Sequence, residues 1–186
     1  DEAVVAASAI TYLEGYLWDP PRAKEAFLKA IATARTAGRQ VALSLSDSFC
    51  VDRHRDEFVD LVQHQVDILF ANEQEIISLY EAETFDAAMQ SVRGHCEIAA
   101  VTRAEKGSVI TTKDEIHIID AEPIDNVVDT TGAGDLYAAG FLMGYANGRC
   151  LPECGRMAGI TAAEAISHMG ARPETDLRAL MKEKLV

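Results

Sequence analysis

The sequence has little positive charge and no long apolar run. Its 17 lysines and arginines stand against 30 aspartates and glutamates, and the net charge at pH 7 is −13. This balance disfavours a nucleic-acid surface, which needs basic residues to neutralise phosphates, and it also disfavours binding to an anionic membrane. No apolar run approaches the roughly 20 residues that cross a bilayer. We therefore expect neither nucleic acid nor membrane as a partner.

Cysteines are also few, and they form no CxxC pair. The four are Cys50, Cys96, Cys150 and Cys154. No targeting peptide is visible, so the composition predicts a reduced, cytoplasmic protein. Cys150 and Cys154 are four residues apart, and packing on one helix face is favoured there over a zinc pair. Because the chain begins with Asp1 rather than Met and its opening VVAASAI is typical of an interior strand, we expect it to be part of a longer protein.

Apolar periodicity alternates along the chain between short strands and amphipathic helices. The predicted strands are Val4–Ile10, Val41–Leu45, Asp67–Ala71 and Glu97–Thr102, followed by a hairpin of Val109–Thr112 and Ile116–Ile119. The predicted helices are the segment from Pro20-Pro21 to Gly38, Asp52–Gln63, Glu73–Glu81, Phe85–Val92, Leu136–Ala146, Pro152–Met169 and Thr175–Leu185. Such alternation predicts an α/β fold with parallel strands and right-handed crossovers.

The stretch DTTGAGD, Asp129 to Asp135, combines small residues with an acid before a predicted helix. Gly132 and Gly134 fit the first two positions of the dinucleotide pattern G-x-G-x-x-G/A, but the bulky Tyr137 stands at the third. The P-loop pattern occurs nowhere in the sequence. What remains is a helix N-terminus whose free N–H groups can approach a phosphate closely.

Asp135 allows two interpretations. A carboxylate at a helix start is commonly a capping group. An acid beside an anion cradle is unfavourable for simple phosphate binding, because the charges repel. It is useful, however, when the acid takes the proton of a hydroxyl that attacks the phosphate. The second interpretation predicts a site that transfers phosphate rather than one that only holds it.

DTTGAGD resembles the C-terminal signature of the ribokinase-like (PfkB) carbohydrate kinases. Three further segments are similar to elements of that family, in the expected order: VDILFANEQE (Val66–Glu75), TRAEKG (Thr102–Gly107) and AAEAISHMGA (Ala162–Ala171). The resemblance implies a three-layer α/β/α fold with a mainly parallel sheet. It also implies that residues 1–186 are the C-terminal portion of a single kinase domain without its N-terminal lid. Within the family, adenosine kinase-like members look most similar.

The resemblance assigns catalytic and nucleotide-binding roles. Asp135 would be the catalytic base, and Gly132, Ala133 and Gly134 would form the anion hole. Asn72 and Glu75, from the family's N-x-x-E element, would organise Mg²⁺ through water together with the nucleotide phosphates. The residues that would line the nucleotide site are Asn72, Thr102, Arg103, Gly107 and Gly134.

A monovalent cation such as K⁺ is a further implied ligand. The matching positions are Asp129, Thr131, Ala165, His168 and Gly170, with His168 contributing its backbone carbonyl. Each assignment has a structural alternative: Asn72 and Glu75 can cap a helix reciprocally, Gly107 can be a turn glycine, and Asp129 can accept backbone N–H groups in its own loop.

The implied function is an ATP-dependent phosphotransferase that acts on a hydroxymethyl group of a sugar or nucleoside, with ATP and Mg²⁺. Adenosine, ribose and fructose all remain open as acceptors, and a homodimer is compatible with the sequence. A catalytically incomplete nucleotide-binding or regulatory fragment is the alternative. An NAD-dependent dehydrogenase is disfavoured by Tyr137.

Overall fold

The computed structural model describes residues 1–185. Its strands are β1 (Ile10–Glu14), β2 (Gln40–Ser44), β3 (Ile68–Asn72), β4 (Ile98–Thr102), β5 (Ser108–Thr111) and β6 (Ile116–Ile119). Its α-helices are α1 (Glu2–Ala7), α2 (Pro21–Thr36), α3 (Ser48–His64), α4 (Glu73–Tyr80), α5 (Phe85–Val92), α6 (Ala133–Ala146), α7 (Leu151–Ala165) and α8 (Leu177–Lys184). Two short 3-10 turns cover Gly15–Trp18 and Ala104–Lys106.

The six strands form one sheet in the order β1-β2-β3-β4-β5-β6. β1 and β2 pair in parallel with Ile10 opposite Gln40, and β2 and β3 pair in parallel with Ala42 opposite Ile68. Helices α2 and α3 connect these strands, so the predicted parallel βαβ units are confirmed. Only residues 112–115 separate β5 from β6, and a connection that short joins neighbouring strands as an antiparallel hairpin.

Contacts divide the chain into two compact units, described separately below. The first unit holds residues 1–101 with 111–115, and the second holds residues 102–110 with the chain from Ile116 onward. In the first unit, β2 is buried on both faces, with Val41, Ala42 and Leu43 fully inaccessible to solvent. A strand buried on both faces is typical of a parallel sheet covered by helices.

Helices α6 and α7 pack closely in the second unit. A Cβ atom added to Gly140 would lie 2.4 Å from Thr161 Oγ1 and 2.8 Å from the Met157 carbonyl oxygen. One added to Gly144 would lie 3.0 Å from Met157 Sδ and 3.1 Å from Cys154 Sγ. Gly140 and Gly144 therefore allow the two helix backbones to approach. Within residues 1–185, none of the helices has the length and apolar character that crossing a membrane requires.

The predicted strand Val4–Ile10 is wrong. Residues Glu2–Ala7 form α1, whose first turn is capped by the Asp1 carboxylate, which accepts the Ala3 N–H at 2.9 Å. The capping acid and the alanines favour a helix, and Val4 is 63% exposed rather than buried. The strand begins only at Ile10. Other helix boundaries differ as well: α3 starts four residues earlier than predicted, at Ser48, α6 starts three residues earlier, at Ala133, and α7 ends four residues earlier, at Ala165.

Candidate active site

Gly132 ends the loop that leads into α6. It is the N-cap of the helix, with φ +80° and ψ 0°, a left-handed conformation that favours glycine. A Cβ atom at this position would lie 2.7 Å from Ala171 Cβ and 3.0 Å from Ala171 Cα. By contrast, Gly134 lies in the first helical turn, and a Cβ added there would meet nothing within 4 Å. The first glycine shapes the loop, and the second leaves open space over it.

Several backbone N–H groups at the start of α6 are not used by the fold. The Ala133 N–H donates to the Thr130 carbonyl at 3.2 Å. Among residues 1–185, the Gly132, Gly134 and Asp135 N–H groups donate to no backbone acceptor outside the helix and to no capping side chain. These groups carry the partial positive charge of the helix start. The predicted anion hole thus has free donors at Gly132 and Gly134, with Asp135 added and Ala133 already engaged.

Asp135 stands in the first turn of α6 with an exposed side chain. Its carboxylate accepts no hydrogen bond and forms no ion pair within the described part of the chain. The capping interpretation is wrong, because the N-cap is Gly132 and no side chain caps this helix. The result is an unpartnered carboxylate on the same helical turn as the unpartnered N–H groups.

Tyr137, the residue that disfavoured the dinucleotide pattern, belongs to the core of the second unit. It is 4% exposed, and its hydroxyl donates to Ser108 Oγ at 2.8 Å. Burial raises the pKa of Tyr137 to about 12. Together with the buried Phe141, it anchors the first two turns of α6. The large side chain is therefore an internal anchor that holds the helix start in place.

Asp129 joins the loop before α6 to the segment that follows α7. Its Oδ1 accepts the Thr131 N–H at 2.9 Å and the Thr131 hydroxyl at 2.7 Å, and its Oδ2 accepts the Gly170 N–H at 2.9 Å. These bonds favour the charged carboxylate and lower its pKa to about 2. The structural alternative for Asp129, that it accepts backbone N–H groups in its own loop, is confirmed. The same bonds bring together three of the positions predicted to surround a monovalent cation.

Glu164 and His168 form a second link in this region, which the sequence analysis did not identify. Glu164 Oε1 accepts the N–H groups of Glu174 and Thr175, both at 2.9 Å, and Oε2 lies 3.3 Å from His168 Nε2. Burial opposes both charges, but the bonds from Thr175 lower the pKa of Glu164, and Glu164 raises the pKa of His168. Glu164 lies in the last turn of α7 and His168 just after the helix ends, and this four-residue spacing of an acid and a histidine is the signal that could have revealed the pair.

Asn72 and Glu75 meet in the first unit, where β3 ends and α4 begins. The Glu75 carboxylate accepts the Asn72 N–H at 2.9 Å and the Asn72 side-chain amide at 2.8 Å, and Asn72 Oδ1 accepts the Glu75 N–H at 2.9 Å. This is the reciprocal capping box of the structural alternative, which is confirmed. Burial, with smaller effects of Asp47 and Glu14, raises the pKa of Glu75 to about 6.

Two more acidic residues lie at strand ends of the first unit. Glu14 ends β1, and its Oε2 accepts the Ser46 hydroxyl at 2.6 Å. Asp47 follows β2 and caps α3 through the Phe49 N–H at 3.0 Å. Ser46 has φ +65°, a conformation that a serine rarely adopts. The carboxyl ends of parallel strands are where open α/β sheets bind ligands. Glu14 and Asp47 are site candidates that sequence reasoning missed, Glu14 because β1 was misplaced.

The turn from Thr102 to Gly107 has a clear structural basis. The Arg103 N–H donates to the Gly107 carbonyl at 2.7 Å, and Gly107 has φ +79°. A Cβ atom at Gly107 would lie only 2.0 Å from the Ile119 carbonyl oxygen. The turn-glycine alternative is confirmed for Gly107. The nucleotide-binding role of Thr102, Arg103 and Gly107 stays a prediction.

The predicted residues thus fall into two groups. Asn72 and Glu75 contact each other in the first unit, and the loop before α6 contacts the segment after α7 in the second. The second group holds the free helix-start donors and Asp135. The first holds oxygen ligands of the kind that Mg²⁺ prefers.

Comparisons with known proteins bear on the family and the fold of the chain. A family model described as pfkB family carbohydrate kinase matches residues 1–177. The crystal structure of adenosine kinase from Sinorhizobium meliloti is 49% identical, with a TM-score of 0.96 over 98% of this chain and 56% of that one. A cytidine kinase from Thermococcus kodakarensis is 33% identical over 73% of this chain and 50% of its own length. The chain therefore spans about half the length of these relatives.

A more distant structure is similar in fold alone. It is aminoimidazole riboside kinase from Salmonella enterica, complexed with aminoimidazole riboside and an ATP analogue. It is 22% identical, with a TM-score of 0.80 over 92% of this chain and 62% of that one. These likenesses confirm the expected three-layer α/β/α architecture with its mainly parallel sheet.

Proposed function

Because the chain belongs to the pfkB family of carbohydrate kinases, we propose that it carries the phosphoryl-transfer part of an ATP-dependent kinase. The acceptor is a hydroxymethyl group of a sugar or nucleoside. The single observation that supports this most is the start of α6. There the free N–H groups of Gly132 and Gly134 and the unpartnered carboxylate of Asp135 share one helical turn.

The residues of this turn divide the chemistry between them. The Asp135 carboxylate takes the proton of the substrate hydroxyl while the oxygen of that hydroxyl bonds to the γ-phosphorus of ATP. The bond from phosphorus to the bridging oxygen breaks, and ADP leaves. The N–H groups of Gly132, Gly134 and Asp135 donate to the oxygens of the transferring group, where negative charge is concentrated. Ala133 shapes the turn through its bond to Thr130.

Mg²⁺ fits the acidic strand ends of the first unit. Glu75 is 6% exposed, and its carboxylate is already oriented by Asn72, so it would hold the ion through water rather than directly. Glu14 and Asp47 supply further carboxylates whose charge reaches Glu75. A Mg²⁺ ion held by these residues would neutralise negative charge on the phosphates of the nucleotide. Thr102, Arg103 and Gly107 are proposed to contact the nucleotide.

A monovalent cation such as K⁺ is proposed for the two joined loops of the second unit. Asp129 holds Thr131 and Gly170 together, and the Val128 N–H donates to the Ile166 carbonyl at 2.8 Å. The backbone carbonyl oxygens at Asp129, Thr131 and Gly170, with those of Ala165 and His168, would coordinate the ion. Such binding would order the loop that ends at Gly132, so the anion hole would form more completely in K⁺.

A nucleoside acceptor is favoured within the proposal. The similar proteins named above include an adenosine kinase and a cytidine kinase, and a relative from Methanocaldococcus jannaschii, 31% identical, is named nucleoside kinase. A nucleotide-binding or regulatory fragment is the second candidate. The test below separates it from the kinase, because such a fragment would bind ATP without releasing ADP.

The test is turnover with and without Asp135. The chain is joined to the remaining part of the Sinorhizobium meliloti adenosine kinase, and ADP release is measured with ATP and Mg²⁺ on adenosine, cytidine, ribose and fructose, with and without K⁺. We expect Asp135→Asn to lower kcat by about 10²–10⁴-fold, the range of general acid–base catalysis. ATP affinity, measured by calorimetry, should change little.

Asp125→Asn is the matched control, since Asp125 is an exposed acid ten residues upstream with no recorded side-chain partner among residues 1–185. Near-normal turnover in Asp135→Asn would reject the base assignment. If no acceptor releases ADP while ATP still binds, the binding-fragment candidate replaces the kinase.

A further inference from the structure

A cluster of metal-ligating side chains in the first unit has no part in the proposed phosphoryl transfer. Asp19, Cys50 and His54 each offer one ligand atom, and the three atoms all lie within 4.8 Å of one another. Asp19 Oδ1 is 2.8 Å from His54 Nε2 and 4.0 Å from Cys50 Sγ. A carboxylate oxygen, an imidazole nitrogen and a thiol sulfur are all established ligands of zinc in proteins.

Local structure brings the three side chains together. Cys50 lies in the first turn of α3, and His54 lies at a kink in that helix, with φ −124° and ψ 25°. Asp19 follows the 3-10 turn Gly15–Trp18 at the end of β1. Cys50 is fully buried, whereas the side chains of His54 and Asp19 are 25% and 40% exposed. The cluster is thus closed on the sulfur side and open to solvent on the other.

Neighbouring charges orient two of the three ligands. Arg53 holds the Asp19 carboxylate with two bonds, from Nη2 to Oδ2 at 2.5 Å and from Nε to Oδ1 at 3.2 Å, and Oδ1 also faces Cys50 and His54. On the far side of the imidazole, His54 Nδ1 lies 3.3 Å from Glu57 Oε2. A carboxylate behind a histidine is the arrangement that commonly fixes a metal-binding imidazole with its other nitrogen towards the ion.

Glu57 is itself firmly placed. Its Oε2 accepts the Trp18 indole N–H at 2.6 Å, and its Oε1 pairs with Lys24. Trp18 is 3% exposed and packs edge-on against Phe27. The histidine is therefore oriented by a carboxylate that is anchored to the core through the only tryptophan of the chain.

We propose that Asp19 Oδ1, Cys50 Sγ and His54 Nε2 bind a zinc ion, with water as the fourth ligand. A thiolate and a carboxylate together balance the charge of Zn²⁺. Zinc bonds of about 2.0 Å to nitrogen and oxygen and about 2.3 Å to sulfur require the three ligand atoms to rearrange around the ion when it binds. The Cys50 proton and the proton between Asp19 and His54 leave to solvent on binding.

The probe is Co²⁺ added to the full chain, followed by displacement with Zn²⁺. We expect thiolate-to-cobalt charge-transfer absorption, the visible bands of a four-coordinate ion, and a change in Trp18 fluorescence. Cys50→Ala should abolish the charge-transfer band and weaken binding more than about 100-fold, beyond the 10–100-fold loss typical of outer partners. Cys96→Ala, at a half-buried thiol in the same unit, is the matched control and should bind normally.

Two further variants keep the test decisive if Cys50→Ala does not fold. Asp19→Asn changes an exposed side chain and should weaken Zn²⁺ binding more than about 100-fold, while Glu57→Gln should weaken it about 10–100-fold. The proposal is rejected if the unmodified chain shows no thiolate-to-cobalt band. It is equally rejected if Asp19→Asn binds as tightly as the unmodified chain, because the cluster is then an ion-pair network around Arg53.

Discussion

Exchanging the two glycines of the loop before α6 for alanine, one at a time, should give opposite results. At Gly132 the backbone has φ +80°, and a left-handed conformation costs an L-residue roughly 1–2 kcal/mol. The new Cβ would lie 2.7 Å from Ala171 Cβ and 3.0 Å from Ala171 Cα, so backbone has to move, at a cost of about 1–3 kcal/mol. We expect Gly132→Ala to lower the free energy of unfolding by about 2–5 kcal/mol.

Gly134→Ala is the matched control, because it adds the same methyl group two residues later. Nothing lies within 4 Å of the added atom, and the position is helical. Replacing glycine by alanine in a helix is favourable by up to about 1 kcal/mol. Stability should therefore stay unchanged or rise, while the methyl group narrows the space over the free N–H groups. ATP turnover should then fall without loss of folding.

The measurement is unfolding by urea and by heat of both variants and the unmodified chain, with circular dichroism and tryptophan fluorescence as the signals. A loss of about 2–5 kcal/mol corresponds to a Tm lower by roughly 4–20 °C for a chain of this size. Equal stabilities of the two variants would refute the reasoning, because they would show that neither φ nor the contact with Ala171 constrains Gly132.

Two other perturbations test the packing and the electrostatics around the candidate site. Tyr137→Phe removes the buried bond to Ser108 Oγ, and we expect urea unfolding to show a loss of about 1–3 kcal/mol with unchanged secondary structure; an unchanged midpoint would contradict this. Burial raises the pKa of Glu75 from 4.5 to about 6, so the folded state holds this proton more tightly than the unfolded one. The contribution of Glu75 to stability is therefore complete below pH 4.5 and falls by about 2 kcal/mol as the pH rises through 6. Glu75→Gln should flatten that part of the pH profile, and a profile with the same slope in both proteins would refute the shift.

Much of the fold could be predicted because the apolar pattern of most segments is local and strong. The boundaries of α5 (Phe85–Val92) and β6 (Ile116–Ile119) agree residue for residue with the prediction. Val4–Ile10 failed because apolarity was read as a strand, although Asp1 caps a helix there. That error also hid Glu14, since a strand that ends at Ile10 places no acid at the carboxyl end of β1.

The candidate site could be predicted in part. The small residues and the acid of DTTGAGD predicted an anion-binding helix start, and the structure has free N–H groups at Gly132 and Gly134. Which amides are free depends on the bond from Ala133 to Thr130, a detail of turn geometry that composition does not contain. For Asn72 and Glu75, the three-residue spacing was sufficient to predict the reciprocal cap.

By itself, the sequence determined the features that depend on neighbouring residues: the alternation of strands and helices, the glycine-rich helix start and the asparagine cap. Only the tertiary structure decided the features that join distant segments. Asp129 reaches Gly170 across 41 residues, and Asp19 reaches Cys50 across 31. The physical reason is that local periodicity and capping act within a few residues of the chain, whereas the partner of a charged side chain is selected by packing.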